Sequence, residues 1–454
     1  MKNNLTYEKK TVYQRRDSAH VDAAFAYAEP YKKFLNEGKT EREALKASIA
    51  LAEAKGFSEY RLGDPIKVGD KRYYNNRGKN LFLFSIGTEP IANGIHITAA
   101  HIDAPRIDLK QCPLYEESGM GFFKTHYYGG IRKYQWVATP LALHGVIVTK
   151  DEEVIDVNVG EDENDPVFYI NDLLPHLGHD QGKLPLDEGI KGEQLNILIG
   201  SRPDAEENSV KLHILELLNQ KYGITEDDFL SSELCVVPAA KARDVGFDRS
   251  MIGAYGHDDR VCAYPAMTAL LDNADSEHTL MCILADKEET GSDGPTGMQA
   301  DLMLDLISEI SHALGGNPAV VRANSKCLSA DVSAAYDPNF PEVFEKRNTP
   351  LLGSGAVFTK FTGSRGKSGT NDASAEYVGW LRHVLSHDDV VWQAGELGKV
   401  DCGGGGTVAK YISKHNIDTI DLGVPVLSMH APFEVISKVD LYETYRACVA
   451  FYKY

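Results

Sequence analysis

Three things are scarce in this sequence, and each scarcity excludes a class of protein. Cysteine is thin and scattered: seven residues, at 112, 235, 262, 282, 327, 402 and 448, odd in number and never in a Cys-x-x-Cys pair. That pattern excludes a disulfide framework and a cysteine-built zinc knot, and it predicts reduced, partly buried thiols. Positive charge is short, with 47 Lys and Arg against 66 Asp and Glu and a formal net charge of -19. No basic surplus is left to neutralise phosphates, so a nucleic-acid partner is not expected. Long apolar runs are missing as well. Neither the first ten residues nor any later stretch has the length and apolarity of a signal peptide or a bilayer span, so the expectation is a cytoplasmic protein with no membrane partner.

What is present is ordinary globular material, 43% apolar and 25% charged, and 454 residues exceed one core. Thr40-Glu41-Arg42-Glu43 forms a capping box, and Leu45, Ile49 and Ala52 follow at helical spacing. Strand-like runs come next, around 71–74, 81–86 and 94–102. From 112 to 244 the texture changes. Tyr127-Tyr128-Gly129-Gly130 and the acidic loop 160–166 separate short alternating runs at 143–148 and 210–215, which predicts a β-rich domain inserted into the first. The expected organisation is therefore a first part over 1–111, an insert over 112–244 and a second part over 245–454. In the last part a helix near 261–271, a strand at 279–285 and an amphipathic helix at 298–314 stopped by Gly315-Gly316 alternate. A strand runs into Ser329-Ala330-Asp331, a helix over 372–385 has Asn371 as its cap, and Ser437 opens the last helix. Such alternation predicts a mixed α/β sheet with helices on both faces.

Acids and histidines gather at the ends of these predicted strands. Asp286-Lys287-Glu288-Glu289-Thr290-Gly291-Ser292 follows the apolar run 279–284, and two adjacent carboxylates there can point apart, one to a metal and one to a proton. A doublet alone says little, because others such as Glu152-Glu153 and Asp388-Asp389 are read as solvated surface. His101 and Asp103 stand two apart, on one side of an extended chain, whereas His96 is expected to be a hydrogen-bonded core residue. Asp259 sits in Gly256-His257-Asp258-Asp259-Arg260 before a helix, Asp331 follows an apolar stretch, and His430 closes Val424-Pro425-Val426-Leu427-Ser428-Met429. Two histidines and three carboxylates suit two divalent metals with one bridging acid and a shared water, leaving another acid free as general base. Singly, each has a plainer reading: an acid beside a helix start caps it.

In this order, His101-Ile102-Asp103-Ala104-Pro105, the Asp258-Asp259-Arg260-Val261 segment, the Glu288-Glu289 turn, Ser329-Ala330-Asp331 and Ser428-Met429-His430 resemble the motifs of the aspartyl aminopeptidase family, also called the aminopeptidase I family of dinuclear zinc metallopeptidases. The resemblance spans nearly the whole chain, including the insert. It implies an α/β zinc-peptidase catalytic domain with a mixed sheet and an inserted β-rich oligomerisation domain. It also implies that one zinc is held by His101 and Asp331 and the other by Glu289 and His430, with Asp259 bridging. Glu288 would be the general base, and Asp103 would orient His101. Leu174-Pro175-His176-Leu177 resembles the motif by which the family brings a histidine of a neighbouring subunit to the substrate carbonyl, so His176 is a candidate oxyanion stabiliser beside its plain reading as a surface-loop residue. Family members assemble as large homo-oligomers, often dodecamers.

Departures bear on substrate choice. Family members that remove acidic residues carry histidines three and six positions after the equivalent of Asp331; this chain has Ala334 and Asp337 there, which favours neutral or basic N-terminal residues. Lys360, in a loop with Arg365 and Lys367, matches a substrate-contacting lysine of the family, and Gly404 in the run 403–406 could offer a backbone N–H to a carbonyl oxygen. Zinc suits the donor set, although manganese or cobalt would fit similar geometry. Gly366-Lys367-Ser368 lacks the glycine a phosphate-binding loop needs at Phe361, and neither Gly-x-Ser-x-Gly nor His-Glu-x-x-His occurs. The expectation is a metal-dependent exopeptidase acting on peptides. A dinuclear amidase or deacylase of small N-acyl compounds, or a self-assembling scaffold without catalysis, are the alternatives.

Overall fold

In the strand Thr279–Ala285 every residue is buried, with Leu280, Cys282 and Leu284 on one face and Met281, Ile283 and Ala285 on the other. Successive side chains of a strand leave opposite faces, so an all-apolar strand needs cover on both sides. The computed structural model, described for residues 5–454, provides it. The strand lies inside a nine-stranded mixed sheet in the order Ser58–Glu59, Lys71–Asn76, Asn80–Ser85, Thr279–Ala285, Ile95–His101, Lys326–Ser329, Asp418–Gly423, Ala356–Thr359 and Trp392–Ala394. From Thr279–Ala285 to Asp418–Gly423 the neighbours run parallel, and the strands on either side of that block run antiparallel to it. Helices Ser18–Glu37, Glu41–Ala54, His257–Asp272, Ala375–His387 and Lys438–Lys453 cover one face; Leu302–Ala313 and Ala409–Ser413 cover the other. A five-stranded sheet, Arg243–Val245, Met251–Ala254, Glu434–Ser437, Pro425–Leu427 and Ser333–Ala334, completes this unit.

The chain divides into two compact units, one built from residues up to Asp103 with Ala242–Met429 and Glu434–Tyr454, the other from Ala104–Lys241 and His430–Phe433. The second contains a seven-stranded antiparallel sheet. Its edges fall at 103/104 and 241/242 rather than at the expected 111/112 and 244/245. A division at 112 would cut the strand Arg106–Glu117, whose start the sequence does not mark.

Local signals fare unevenly. At Thr40 the capping box forms in full: its hydroxyl accepts from Glu43 N at 3.3 Å and Glu43 Oε2 accepts from Thr40 N at 3.1 Å. Asn371, expected as a cap, instead donates to the Thr419 carbonyl at 2.5 Å, and Ser374 caps Ala375–His387. The run at 210–215, expected as a strand, is the start of helix Val210–Tyr222, capped by Ser209 and closed by Gly223 at φ 72. Six residues are too few to separate a period of two from one of 3.6; the caps outside the run decide. Among the described residues no helix is long and apolar enough to cross a membrane, and all seven cysteines are free, five of them buried.

One ion network ties helix Ser18–Glu37 to the last one. Asp244, 10% exposed, faces Lys32 at 2.8 Å, Lys438 at 2.9 Å and Arg249 at 2.8 Å. Burial alone would raise its pKa, but the three cations hold it well below the usual carboxylate range. Lys438 is 2% exposed, and its other carboxylate, Glu29, stands 4.0 Å away. Asp244→Asn is therefore expected to cost about 3 kcal/mol at neutral pH by stripping a buried cation of its partner. Because the folded-state pKa is depressed, this stabilisation is present above about pH 4 and fades as the pH falls below it. Urea unfolding of both proteins across that range checks this; equal midpoints at pH 7 would contradict it.

Candidate metal centre

The parallel block of the sheet brings its carboxyl ends to one edge, and the acids sit there, as expected for ligand sites of open α/β sheets. His101 closes Ile95–His101 and pairs in register with Ala285, the last residue of the adjacent parallel strand. On the other side Ser329, two residues before Asp331, pairs with Ala99. Glu288 and Glu289 follow Ala285 on a single 3-10 turn that Lys287 enters at φ 66. Asp258 and Asp259 open helix His257–Asp272 with non-helical backbone angles, joined by a cis peptide.

Asp103 organises the group. Its two carboxylate oxygens accept the N–H groups of Glu288 and Glu289, each at 3.2 Å. His101 Nδ1 faces only acceptors, the Asp103 carbonyl at 3.0 Å and its carboxylate at 3.3 Å, so this nitrogen carries the hydrogen. Nε2 lies 3.2 Å from Asp258 Oδ1 and 3.8 Å from Glu288 Oε2, where a bound cation would take the place of its proton. The His101 backbone N–H donates to Asp259 Oδ2 at 3.2 Å.

Ligand atoms of His101, Asp259 and Asp331 lie within 4.8 Å of one another, and so do those of His101, Asp258 and Glu289. Burial, reinforced by Asp258 against the pull of His101, pushes the Asp259 carboxyl well up; burial, Asp259 and Glu288 do the same for Asp331. Burial opposes a charged His101, but Asp103 and Asp258 outweigh it and hold its pKa well above the ordinary value. Asp259 Oδ1 is buried and accepts no hydrogen bond. Clustered carboxylates around one imidazole, with an acceptor oxygen left over, fit a small divalent cation that takes mixed N and O donors. Both trios draw on His101, so one imidazole nitrogen cannot serve two ions at once and a second ion needs a different donor.

Asp258 was missed in the sequence because its neighbour Asp259 took the whole helix-start signal. His430 belongs to neither trio. It lies in the segment His430–Phe433 that packs with the inserted unit, where its Nδ1 donates to the Gly130 carbonyl at 2.8 Å. His176 is exposed in a turn closed by Leu177 N to Leu174 O. Ala334 is half-buried in Ser333–Ala334, and Asp337 Oδ1 accepts both the backbone and side-chain N–H groups of Asn339. Lys360 pairs with Asp372, which also takes Lys367 at 3.0 Å. Gly404, at φ 119, lies so close to Gly363 that a Cβ would meet its carbonyl oxygen at 2.6 Å. His96 is a buried core residue bonded to the Phe451 carbonyl, its pKa lowered to about 3 by desolvation.

A mixed sheet presenting a buried imidazole and carboxylates at the carboxyl ends of its parallel strands defines a metal-binding α/β protein. A model of the aminopeptidase I zinc metalloprotease family (M18) matches residues 34–452. The probable M18 family aminopeptidase 1 of Clostridium acetobutylicum is 50% identical over 462 residues, covering 99% of each chain. The crystal structure of an M18-family aminopeptidase from Thermotoga maritima superposes with a TM-score of 0.93 at 42% identity, over 99% of this chain and 100% of that one. The S. cerevisiae mApe1 dodecamer structure matches with a TM-score of 0.77 at 22% identity, over 96% and 97%, which shows a shared fold. The chain belongs to the aminopeptidase I zinc metalloprotease family, M18, and is a metalloaminopeptidase.

Asp103→Asn keeps one acceptor where two amides and a ring must be held. It is expected to weaken zinc binding about 10- to 100-fold, the usual effect of losing a group that orients ligands. Competition against a chromophoric chelator measures this, and unaltered affinity would show that Asp103 does not position the centre.

Proposed function

We propose that this aminopeptidase cleaves the N-terminal peptide bond with a water activated at a two-zinc centre, Glu288 acting as general base. The observation that carries the reading is the Asp103 bridge, which faces His101 and accepts both amides of the Glu288-Glu289 turn. His101, Asp259 and Asp331 would hold one zinc. Glu289, with Asp259 shared, would hold the other, and His430 is retained as its ligand on the sequence motif alone. Bound zinc supplies Lewis acidity to the scissile carbonyl and lowers the pKa of water.

Glu288 is suited to the proton work. Its side chain is 17% exposed, against 2% for His101, so it can reach both the water and the leaving group. Its carboxylate takes the proton of the attacking water and delivers it to the leaving amine. The Asp103 carboxylate keeps the Glu288 backbone in place during that transfer, and His101 Nδ1–H keeps the ring from turning.

Asp337 adds negative charge to the segment after Asp331, and Ala334 offers no donor, so the pocket favours neutral or basic N-terminal residues over acidic ones. Lys360 and Gly404 are proposed contacts to the remainder of the peptide. Residues 171–191 expose five leucines, 173, 174, 177, 184 and 186, each 45% to 68% accessible. So much apolar surface in one loop favours burial against another copy of this chain. Assembly as a homo-oligomer, a dodecamer as in the yeast fold relative, would place His176 at an interface and let it stabilise the oxyanion there. Free, scattered thiols suit a reducing cytoplasm.

Glu288→Gln is expected to lower kcat by at least about 10²-fold at unchanged zinc content, the scale of a lost general base. Parallel turnover of Asp-, Leu- and Lys-terminated substrates should favour Leu and Lys. A fully active variant would remove Glu288 from the mechanism, and a strong preference for Asp would remove the specificity reading.

A further inference from the structure

A further buried carboxylate, on a strand of the same sheet, is used by nothing described so far. Asp421, on Asp418–Gly423, is 3% exposed. Its Oδ1 accepts two hydroxyls, Ser329 Oγ at 2.9 Å and Thr407 Oγ1 at 2.6 Å, whereas Oδ2 is buried without a hydrogen bond. A carboxylate taken out of water for two neutral donors on one oxygen is an expensive way to hold a strand. Burial also pushes its pKa up to about 6.

Its two partners lead to opposite sides of the candidate centre. Ser329 ends Lys326–Ser329 and precedes Asp331 by two residues, with Ala330 N fixed on the Ala99 carbonyl at 2.6 Å. Thr407 closes the glycine run 403–406 and leads into helix Ala409–Ser413, where the Tyr411 hydroxyl donates to the Gly291 carbonyl at 3.1 Å. Gly291 is the residue that ends the Glu288–Thr290 turn. The glycine run is in turn wedged against the loop after Lys360: Gly405 N donates to Thr362 O at 3.2 Å, and Gly404 has no room for a side chain beside Gly363. One oxygen therefore ties the strand end carrying Asp331 to the segment that buttresses the Glu288-Glu289 turn and the glycine run.

We propose that Asp421 is a positioning residue, setting through Thr407 and Ser329 the distance between the Asp331 strand end and the glycine run that meets the substrate. This rests on the reading of Asp331 and the Glu288-Glu289 turn as the metal centre. Asp421 touches neither metal nor peptide; it governs the segments that do.

Thr407→Val removes the hydroxyl at nearly constant volume, and Thr407→Ser restores it. In the full-length zinc-loaded enzyme, Thr407→Val is expected to speed amide hydrogen exchange over residues 403–411 by about fivefold or more, the consequence of one lost buried hydrogen bond. KM for a chromogenic leucyl anilide should rise by about fivefold or more, because small misplacements of positioning groups are costly, while bound zinc per chain stays at the wild-type value. Thr407→Ser should return both to within about twofold of wild type. Asp421→Asn, which keeps the accepting oxygen, should resemble wild type, and Asp421→Ala should resemble Thr407→Val. Unchanged exchange and KM in Thr407→Val would overturn the proposal, and so would a Thr407→Ser protein as impaired as the valine variant. If Asp421→Ala does not fold, the threonine pair decides alone. A wild-type protein that binds no zinc would sink the metal-centre reading instead, and the exchange data would still decide what Asp421 does.

Discussion

Everything at the sheet edge depends on a charge imbalance that the protein does not relieve by itself. Asp103, Asp258, Asp259, Glu288, Glu289 and Asp331 converge on a single imidazole, in surroundings where removing an ion from water costs several kcal/mol. The folded chain bears this strain by pushing Asp259 and Asp331 toward their neutral forms and His101 toward its charged one. Divalent cations bound among these donors would remove the strain, which is how membership of a zinc metalloprotease family and the electrostatics of the fold come to agree.

Holding so many like charges in one place requires a rigid frame, and the parallel strands supply it. Register alone puts His101 beside Ala285 and Ala99 beside Ser329, so three loops leave the sheet at nearly the same level. Asp103 then converts proximity into order. Its carboxylate is spent on two backbone amides and a ring nitrogen, which fixes the turn carrying Glu288 and Glu289 and the orientation of the His101 ring together. Asp421 does comparable work one layer out, with hydroxyls in place of amides. Buried carboxylates used in this way stabilise a geometry more than they stabilise a fold.

Much of the scaffold was legible because its signals are local. The capping box at Thr40, the double-faced apolar run at 279–285 and the stop at Gly315-Gly316 each name their element within a few residues. Where the signal was short or shared, it misled. The run at 210–215 fits two periods equally, and the continuous strand Arg106–Glu117 hides the start of the inserted unit. The sequence also gives no sign that Lys360 pairs with Asp372, twelve residues on.

The sequence by itself named His101, Asp103, Asp259, Glu288, Glu289 and Asp331, though not Asp258, because the chemistry of metal and proton transfer admits few side chains and the motifs carry them in runs of three to seven. Which of them share one space is a different matter, settled by strand register and loop exit. Those decided that Asp258 stands on His101 beside Asp259, that Asp103 reaches amides 185 and 186 positions away, and that the two ligand trios share one imidazole. The physical reason is that a side chain's donors and acceptors are local, whereas the partners that satisfy them arrive from anywhere the backbone returns.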